Sequence, residues 1–461
     1  MKKINTPICD FVRRYAESQA SRWHMPGHKG AGTLGIEALD ITEVSGADSL
    51  YEADGIIKES EENASLLFGA HTFYSTEGSS QCISAMLHLA KTQAWRQKKY
   101  PLIWATRNVH KTFLSAVALL NFDVEWLYGS TESYLSCTLS PDDLEQMLKE
   151  AAIMPSALYL TSPDYLGNVA DIASLAEVCH RWGVLLLVDC AHGAYLRFLP
   201  SSLYPTDLGA DMCCSSAHKT LPVLTGGAYL HIDKNADANM LGAAKDALSL
   251  FGSTSPSYLI LQSLDAANAY LAENCRQNLA RTVALLDELK KRLALHGYQL
   301  VGNEPLKITL ASKSFGYTGV EIATHLRENE IECEFADNDF VVLMPSTDMG
   351  AKKLAHLEMV ATSLPKKEPI TAAPPTPAKA EHALRIRYAL LWPSETVAIE
   401  DSVGRILASP SVSCPPAVPI VMCGERIDEA AVRVFRYYGV EKVRVVIELD
   451  TYGELFIEEL S

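Results

Sequence analysis

The unbroken apolar run Val184-Leu185-Leu186-Leu187-Val188 ends in a carboxylate, Asp189, and no other feature of the sequence constrains the fold as tightly. The run is too short for an amphipathic helix and has no water-facing side, so it predicts a strand buried on both faces. A carboxylate at the carboxyl end of such a strand lies where open α/β sheets place their ligands. A second strand-like run, Ala210 to Ser215, leads into Ser216-Ala217-His218-Lys219-Thr220. A lysine met alone in such a loop is more often exposed. Beside Asp189 and His192 it reads instead as a buried amine with a chemical task. Burial lowers an ammonium's pKa toward the range where the free amine attacks carbonyls.

On either side of this stretch, strand and helix signals alternate. Strands are predicted at His71–Thr76, Leu102–Ala105, Val124–Tyr128 and Ala157–Thr161, with helices opening at Glu77-Gly78, His110-Lys111, Pro141 and Asp171. Such alternation predicts a largely parallel sheet covered on both faces. The helix after Gly78 carries Ile83, Met86, Leu87, Ala90 and Ala94 at the spacing of one apolar face. Its opening Gly78-Ser79-Ser80 has two readings, since serine is a preferred N-cap and free amides and hydroxyls at a helix start bind phosphate. Ser257 precedes a Leu- and Ala-rich helix, and a further helix covers about Leu279 to His296. Strand, helix and strand signals follow at Lys307–Leu310, Val320–Asn329 and Phe340–Met344. A Pro- and Ala-rich connector then leads to the C-terminal part.

With 461 residues the chain has room for two or three domains, and no run is long enough to span a bilayer. The formal charge of −16 argues against a nucleic-acid surface and suits small cationic substrates. Eleven scattered cysteines form neither a disulfide framework nor a paired metal site, and the basic N-terminus lacks the apolar segment of a signal peptide. A cytoplasmic protein without a metal is expected.

A carboxylate followed about thirty residues later by a lysine is the pairing that pyridoxal phosphate needs. The carboxylate keeps the pyridine nitrogen protonated, and the lysine holds the aldehyde as a Schiff base. The Ser216-Ala217-His218-Lys219 run with its downstream Leu-Thr-Gly-Gly-Ala, together with Asp189-Cys-Ala-His192-Gly, resembles the ornithine/lysine/arginine decarboxylases. Further matching stretches are Met25-Pro-Gly-His-Lys-Gly30, Arg107-Asn-Val-His110-Lys-Thr112 and, more loosely, Cys414-Pro415-Pro416-Ala417-Val418-Pro419 with Gly424-Glu425. This last segment departs from the family pattern at Cys414, Ala417 and Cys423.

The resemblance covers nearly the whole chain and implies the short form of the family. It implies an aspartate-aminotransferase-like large domain, fold type I of the pyridoxal-phosphate enzymes, with a mostly parallel sheet and a smaller α+β C-terminal domain. The corresponding division is an N-terminal arm at 1–50, a cofactor-binding domain at 51–275 and small-domain segments at 276–363 and 381–461, joined by the connector at 364–380. The expected reaction is decarboxylation of lysine, arginine or ornithine by a homodimer or higher homo-oligomer. Lys219 would hold the cofactor, Asp189 its ring nitrogen, and Gly78, Ser79, Ser80 and Ser216 its phosphate. His110 would stack on the ring, His192 would approach the phenolic oxygen, and Lys219 or His218 would return a proton to the α-carbon. Glu425 is expected to face the substrate's distal cation or, alternatively, to cap the helix near Asp428. Asp189 and Lys219 are shared by aminotransferases and β-eliminating lyases, so another reaction on the same scaffold is the alternative, and a non-catalytic member is a remoter one.

Overall fold

The computed structural model describes residues 4–18, 20–129, 133–375, 379–411 and 417–447. Cys414, Pro415 and Pro416 of the proline segment lie outside the described residues. Seven strands, β1 His71–Ser75, β2 Leu102–Thr106, β3 Asp123–Leu127, β4 Ala157–Thr161, β5 Leu185–Asp189, β6 Met212–Ser215 and β7 Ala228–Ile232, form one sheet ordered β1-β7-β6-β5-β4-β2-β3. The neighbours from β6 through β3 pair in parallel, and β7 runs antiparallel to both β1 and β6.

The continuous apolar runs are explained by two cores. Leu186 and Val188 of β5, with Leu158 and Leu160 of β4, pack into one. Leu187, Ala157 and Tyr159 point into the other. With both faces dry, each side chain of these strands has an apolar neighbour, and period-two alternation disappears from the sequence.

The helix Gly78–Arg96 differs from its one-sided expectation. Its buried residues run almost continuously from Gln81 to Ala90, because it lies under the sheet and is flanked by the helices Lys111–Leu120 and Ala244–Ser249. Of the two readings of Gly78-Ser79-Ser80, the serine cap is not realised, because Glu77 occupies the N-cap position without a side-chain bond. The helices at Pro141 and Asp171 start as expected, with Ser140 and Asp171 accepting from Asp143 and Ser174 amides.

A four-stranded antiparallel sheet follows, ordered β10-β11-β9-β8, from β8 Leu300–Val301, β9 Ile308–Ala311, β10 Phe335–Ala336 and β11 Phe340–Leu343. Beyond the connector, β12 Ser394–Ala398 and β13 Lys442–Val446 pair over a separate apolar cluster that includes Ile399, Ile427 and Phe435. Asp428 caps the helix Glu429–Tyr437 by accepting from the Ala431 amide at 2.7 Å, so Glu425 is not the cap.

After β6 the one-turn helix Ala217–Thr220 carries Lys219, and the chain then reverses through Leu224-Thr-Gly-Gly227 into β7. Gly226 has φ +100°, and its carbonyl accepts from the Gly78 amide at 2.7 Å. This bond holds the lysine turn against the start of the Gly78–Arg96 helix. A Cβ at Gly226 would lie 2.8 Å from the Thr76 carbonyl oxygen. Gly226→Ala is therefore expected to destabilise the protein by at least about 1–2 kcal/mol from the left-handed backbone alone, read as a lower midpoint in a thermal melt. An unchanged midpoint would show that the turn tolerates a side chain.

Candidate active site

The carboxyl ends of the parallel strands meet at an open cavity of about 770 Å³, mouth included. Its wall takes Asn108 and His110 from the loop after β2, Thr161, Pro163 and Tyr165 from the end of β4, and Asp189, Ala191 and His192 from the end of β5. Lys219 follows β6, Ser79 lies in the first turn of the Gly78–Arg96 helix, and Glu334, Ala417 and Val418 complete the wall.

Asp189 is 2% exposed. Its Oδ1 accepts from the Ala191 amide at 3.1 Å and its Oδ2 from the Tyr159 hydroxyl at 3.3 Å, which fixes the carboxylate at the strand end. Burial lowers the pKa of Lys219 although Asp189 opposes that shift. Burial likewise pushes the pKa of His110 and His218 down and that of His192 well down, with nearby lysines adding to each effect. The three imidazoles are thus held neutral. His110 accepts at Nδ1 from the Thr112 amide at 3.3 Å and caps the helix Lys111–Leu120.

Ser216 donates to the Ser79 hydroxyl at 2.9 Å, which brings the two expected phosphate-binding hydroxyls together. Ser80 is exposed and bonds Thr112 at 3.1 Å, and the Gly78 amide is occupied by Gly226. Neither Gly78 nor Ser80 lines the cavity. Nor does His218, whose Nδ1 donates to the Gly227 carbonyl at 3.0 Å.

Glu425 requires a correction. It is 1% exposed, and its two oxygens accept from Arg107 Nη1 at 2.5 Å and Nη2 at 3.0 Å. The second oxygen also accepts from the Met422 amide at 2.8 Å. The carboxylate is thereby neutralised by a residue of the chain itself and lies off the cavity wall, so the structure does not offer it to a substrate cation. Sequence reasoning missed Arg107 as its partner, and missed Asn108, Thr161, Tyr165 and Glu334 as cavity residues. Of these, only Thr161 carried a usable signal, as the last residue of a predicted parallel strand.

The residues present fit pyridoxal phosphate. The wall combines a nucleophilic amine, a buried carboxylate and hydroxyls at a helix start. The buried side-chain oxygen of Asn108 has no hydrogen-bond partner among the described residues, as a polar site built for a bound group would show. Because Glu425 is held by Arg107, Glu425→Gln is expected to act on stability. Breaking a buried ion pair from one side costs about 3–5 kcal/mol, here toward the lower end because Arg107 remains 14% exposed. A thermal melt beside steady-state kinetics checks this, and a raised KM with an unchanged melt would restore a substrate role.

The sequence profile of the Orn/Lys/Arg decarboxylase major domain matches residues 6–309, and that of the C-terminal domain matches 371–443. An arginine decarboxylase of Halalkalibacterium halodurans is 31% identical over 94% of each chain, and one of Bacillus subtilis is 29% identical over 93% of this chain and 92% of its own. An uncharacterized Bacillus subtilis protein, YaaO, is 30% identical over 93% of each. Among solved structures, the Francisella novicida lysine decarboxylase LdcF aligns with a TM-score of 0.78 at 16% identity, covering 97% of this chain and 82% of its own. The E. coli constitutive lysine decarboxylase gives 0.76 at 17%, covering 96% and 82%. The fold is thus that of the aminotransferase-like enzymes, and the chain belongs to the Orn/Lys/Arg decarboxylase family, a pyridoxal-phosphate-dependent amino-acid decarboxylase.

Proposed function

We propose that this enzyme removes the α-carboxylate of a basic amino acid, arginine foremost, releasing CO2 and agmatine. The observation that carries the reading is one cavity wall bearing the Lys219 amine, the Asp189 carboxylate and, separately, the Glu334 carboxylate. Arginine is favoured because relatives matched along nearly their whole length are arginine decarboxylases.

When bound, pyridoxal phosphate supplies an aldehyde that condenses with amines and a ring that accepts the electron pair left by CO2. Lys219, its pKa lowered by burial, would hold the group through its amine. Asp189, immobilised by Tyr159 and the Ala191 amide, would be the carboxylate partner of the ring nitrogen. Ser79 and Ser216, with amides at the Gly78–Arg96 helix start, would receive the phosphate. His110 lies on the wall as a neutral ring for stacking. Lys219, as its ammonium, would deliver the proton that replaces CO2 on the α-carbon, since His218 is bonded to Gly227 off the wall.

Glu334 takes the role once expected of Glu425. It is exposed toward the cavity and accepts from the Tyr165 hydroxyl at 3.2 Å, which leaves its second oxygen to face a guanidinium or ammonium. A homodimer is part of the proposal, because Trp23 and Leu34 of the N-terminal arm are 89% and 78% exposed and call for cover. The free thiols of the described residues suit a reducing, cytoplasmic setting.

The direct test is incubation of cofactor-loaded protein with arginine, lysine and ornithine, followed by amine detection. Agmatine is expected to form fastest, and no amine from any of the three would refute the reaction. Lys219→Ala is expected to lose the visible absorption that follows cofactor loading. Borohydride fixation on a different lysine would overturn that assignment. Glu334→Gln should raise KM and lower kcat/KM roughly tenfold, the lower end for a charged hydrogen bond because Glu334 is exposed. An unchanged KM would remove Glu334 from the substrate's path.

A further inference from the structure

His192 sits on the cavity wall, and its Nδ1 lies 3.0 Å from the Nζ of Lys307. Lys307 and Glu304 belong to the strand lead-in of the four-stranded sheet, and the side chain of each is 1% exposed. The ammonium meets two hydrogen-bond acceptors, His192 Nδ1 and the Asp164 carbonyl at 3.1 Å, and Glu304 Oε2 lies 3.1 Å away as its counter-ion. Glu304 is held in turn by the Tyr195 hydroxyl at 3.1 Å. Main-chain bonds from Asn303 and Glu304 to Gly167, at 2.8 and 2.9 Å, lock the segment to the loop after β4.

A protonated lysine is a donor only, so the imidazole nitrogen it touches must be the unprotonated one. The ring proton is then on Nε2, which has no hydrogen-bond partner among the described residues. Burial and the like charges of Lys219 and Lys307 keep the ring from taking a second proton. Stability alone does not explain the arrangement, because buried ion pairs are commonly replaced by apolar residues at no loss.

We infer that Lys307 is a positioning residue, fixing His192 as the neutral tautomer that offers its Nε2 proton to an acceptor oxygen of the group bound in the cavity. Only the identity of that acceptor rests on the proposed reaction. The tautomer itself belongs to the protein without its cofactor.

Histidine-selective 15N NMR of the cofactor-free, full-length protein tests this, with His192 assigned through the loss of its signals in His192→Gln. The expected spectrum has an unprotonated Nδ1 and a protonated Nε2, unchanged across the neutral pH range. In Lys307→Met the His192 signals should shift to mixed tautomers or begin to titrate. Lys307→Gln, whose amide still donates, should keep the original pattern. In the loaded enzyme Lys307→Met should lower kcat roughly tenfold to a hundredfold with little change in KM, the range for groups that orient a functional histidine. A wild-type His192 with its proton on Nδ1 would overturn the inference without any variant, and so would unchanged His192 signals in Lys307→Met. Either result leaves amine production by the wild-type enzyme untouched, so failure here is separate from failure of the proposed reaction.

Discussion

Strands buried on both faces have no surface on which to carry chemistry, and the site follows from that constraint. Leu186, Leu187 and Val188 point alternately into two dry cores, so the first position of β5 free for a functional group is its end, Asp189. The same holds for Thr161 on β4 and for Asn108 and His110 after β2. Because these strands are parallel, their ends fall on one edge of the sheet, and residues far apart in sequence converge without any dedicated scaffold. The antiparallel β7 adds the remaining piece. Its Gly226 turn bonds Gly78 and so joins the lysine turn to the helix start where Ser79 and Ser216 meet.

What was legible in the sequence follows the same physics. A continuous apolar run closed by a carboxylate has few structural solutions, so the sequence alone directs Asp189 and Lys219 to one site, and both line the same cavity. Proline starts and Asp or Ser caps fixed helix boundaries to within about two residues, the usual spread of such boundaries. The two-sided burial of the Gly78–Arg96 helix was hidden, because its small and apolar residues satisfy a one-face pattern and a full-face pattern equally. Glu334, Lys307 and Arg107 were hidden for another reason. Each acts through a partner far along the chain, Tyr165, His192 and Glu425 respectively, and no local spacing records such pairings.

Glu425 fits a family motif while doing mechanical work. Gly424 has φ +92°, and a Cβ there would lie 2.1 Å from the Leu384 carbonyl oxygen, so the backbone turns tightly before Glu425. The carboxylate then accepts the Met422 amide and both Arg107 nitrogens. Arg107 immediately precedes the loop that carries Asn108 and His110 to the cavity. The Lys111 amide also donates at 2.8 Å to the carbonyl of Ala417, one of the two C-terminal residues that line the wall. A buried ion pair adds little net stability, but it permits one register only. Its effect is to seat the C-terminal segment against the loop after β2, which closes that side of the cavity.

The charges around the cavity are arranged to keep donors neutral. Lys219 is pulled two ways, since Asp189 favours its ammonium while burial and the charge of Lys307 favour the free amine. Burial is the largest of these effects, and the lysine's pKa falls. Lys307 keeps its own charge paired with Glu304 and bonded to the Asp164 carbonyl, so its field reaches His192 without an unpaired ion in the core. His192 therefore stays neutral beside two lysines. Neutral donors whose tautomer is set by neighbouring bonds need no reorganisation when charge develops nearby, which is where fixed dipoles in a dry site outperform water. Lys219, its pKa lowered, and the Asp189 carboxylate share one cavity while the second lysine holds its own counter-ion.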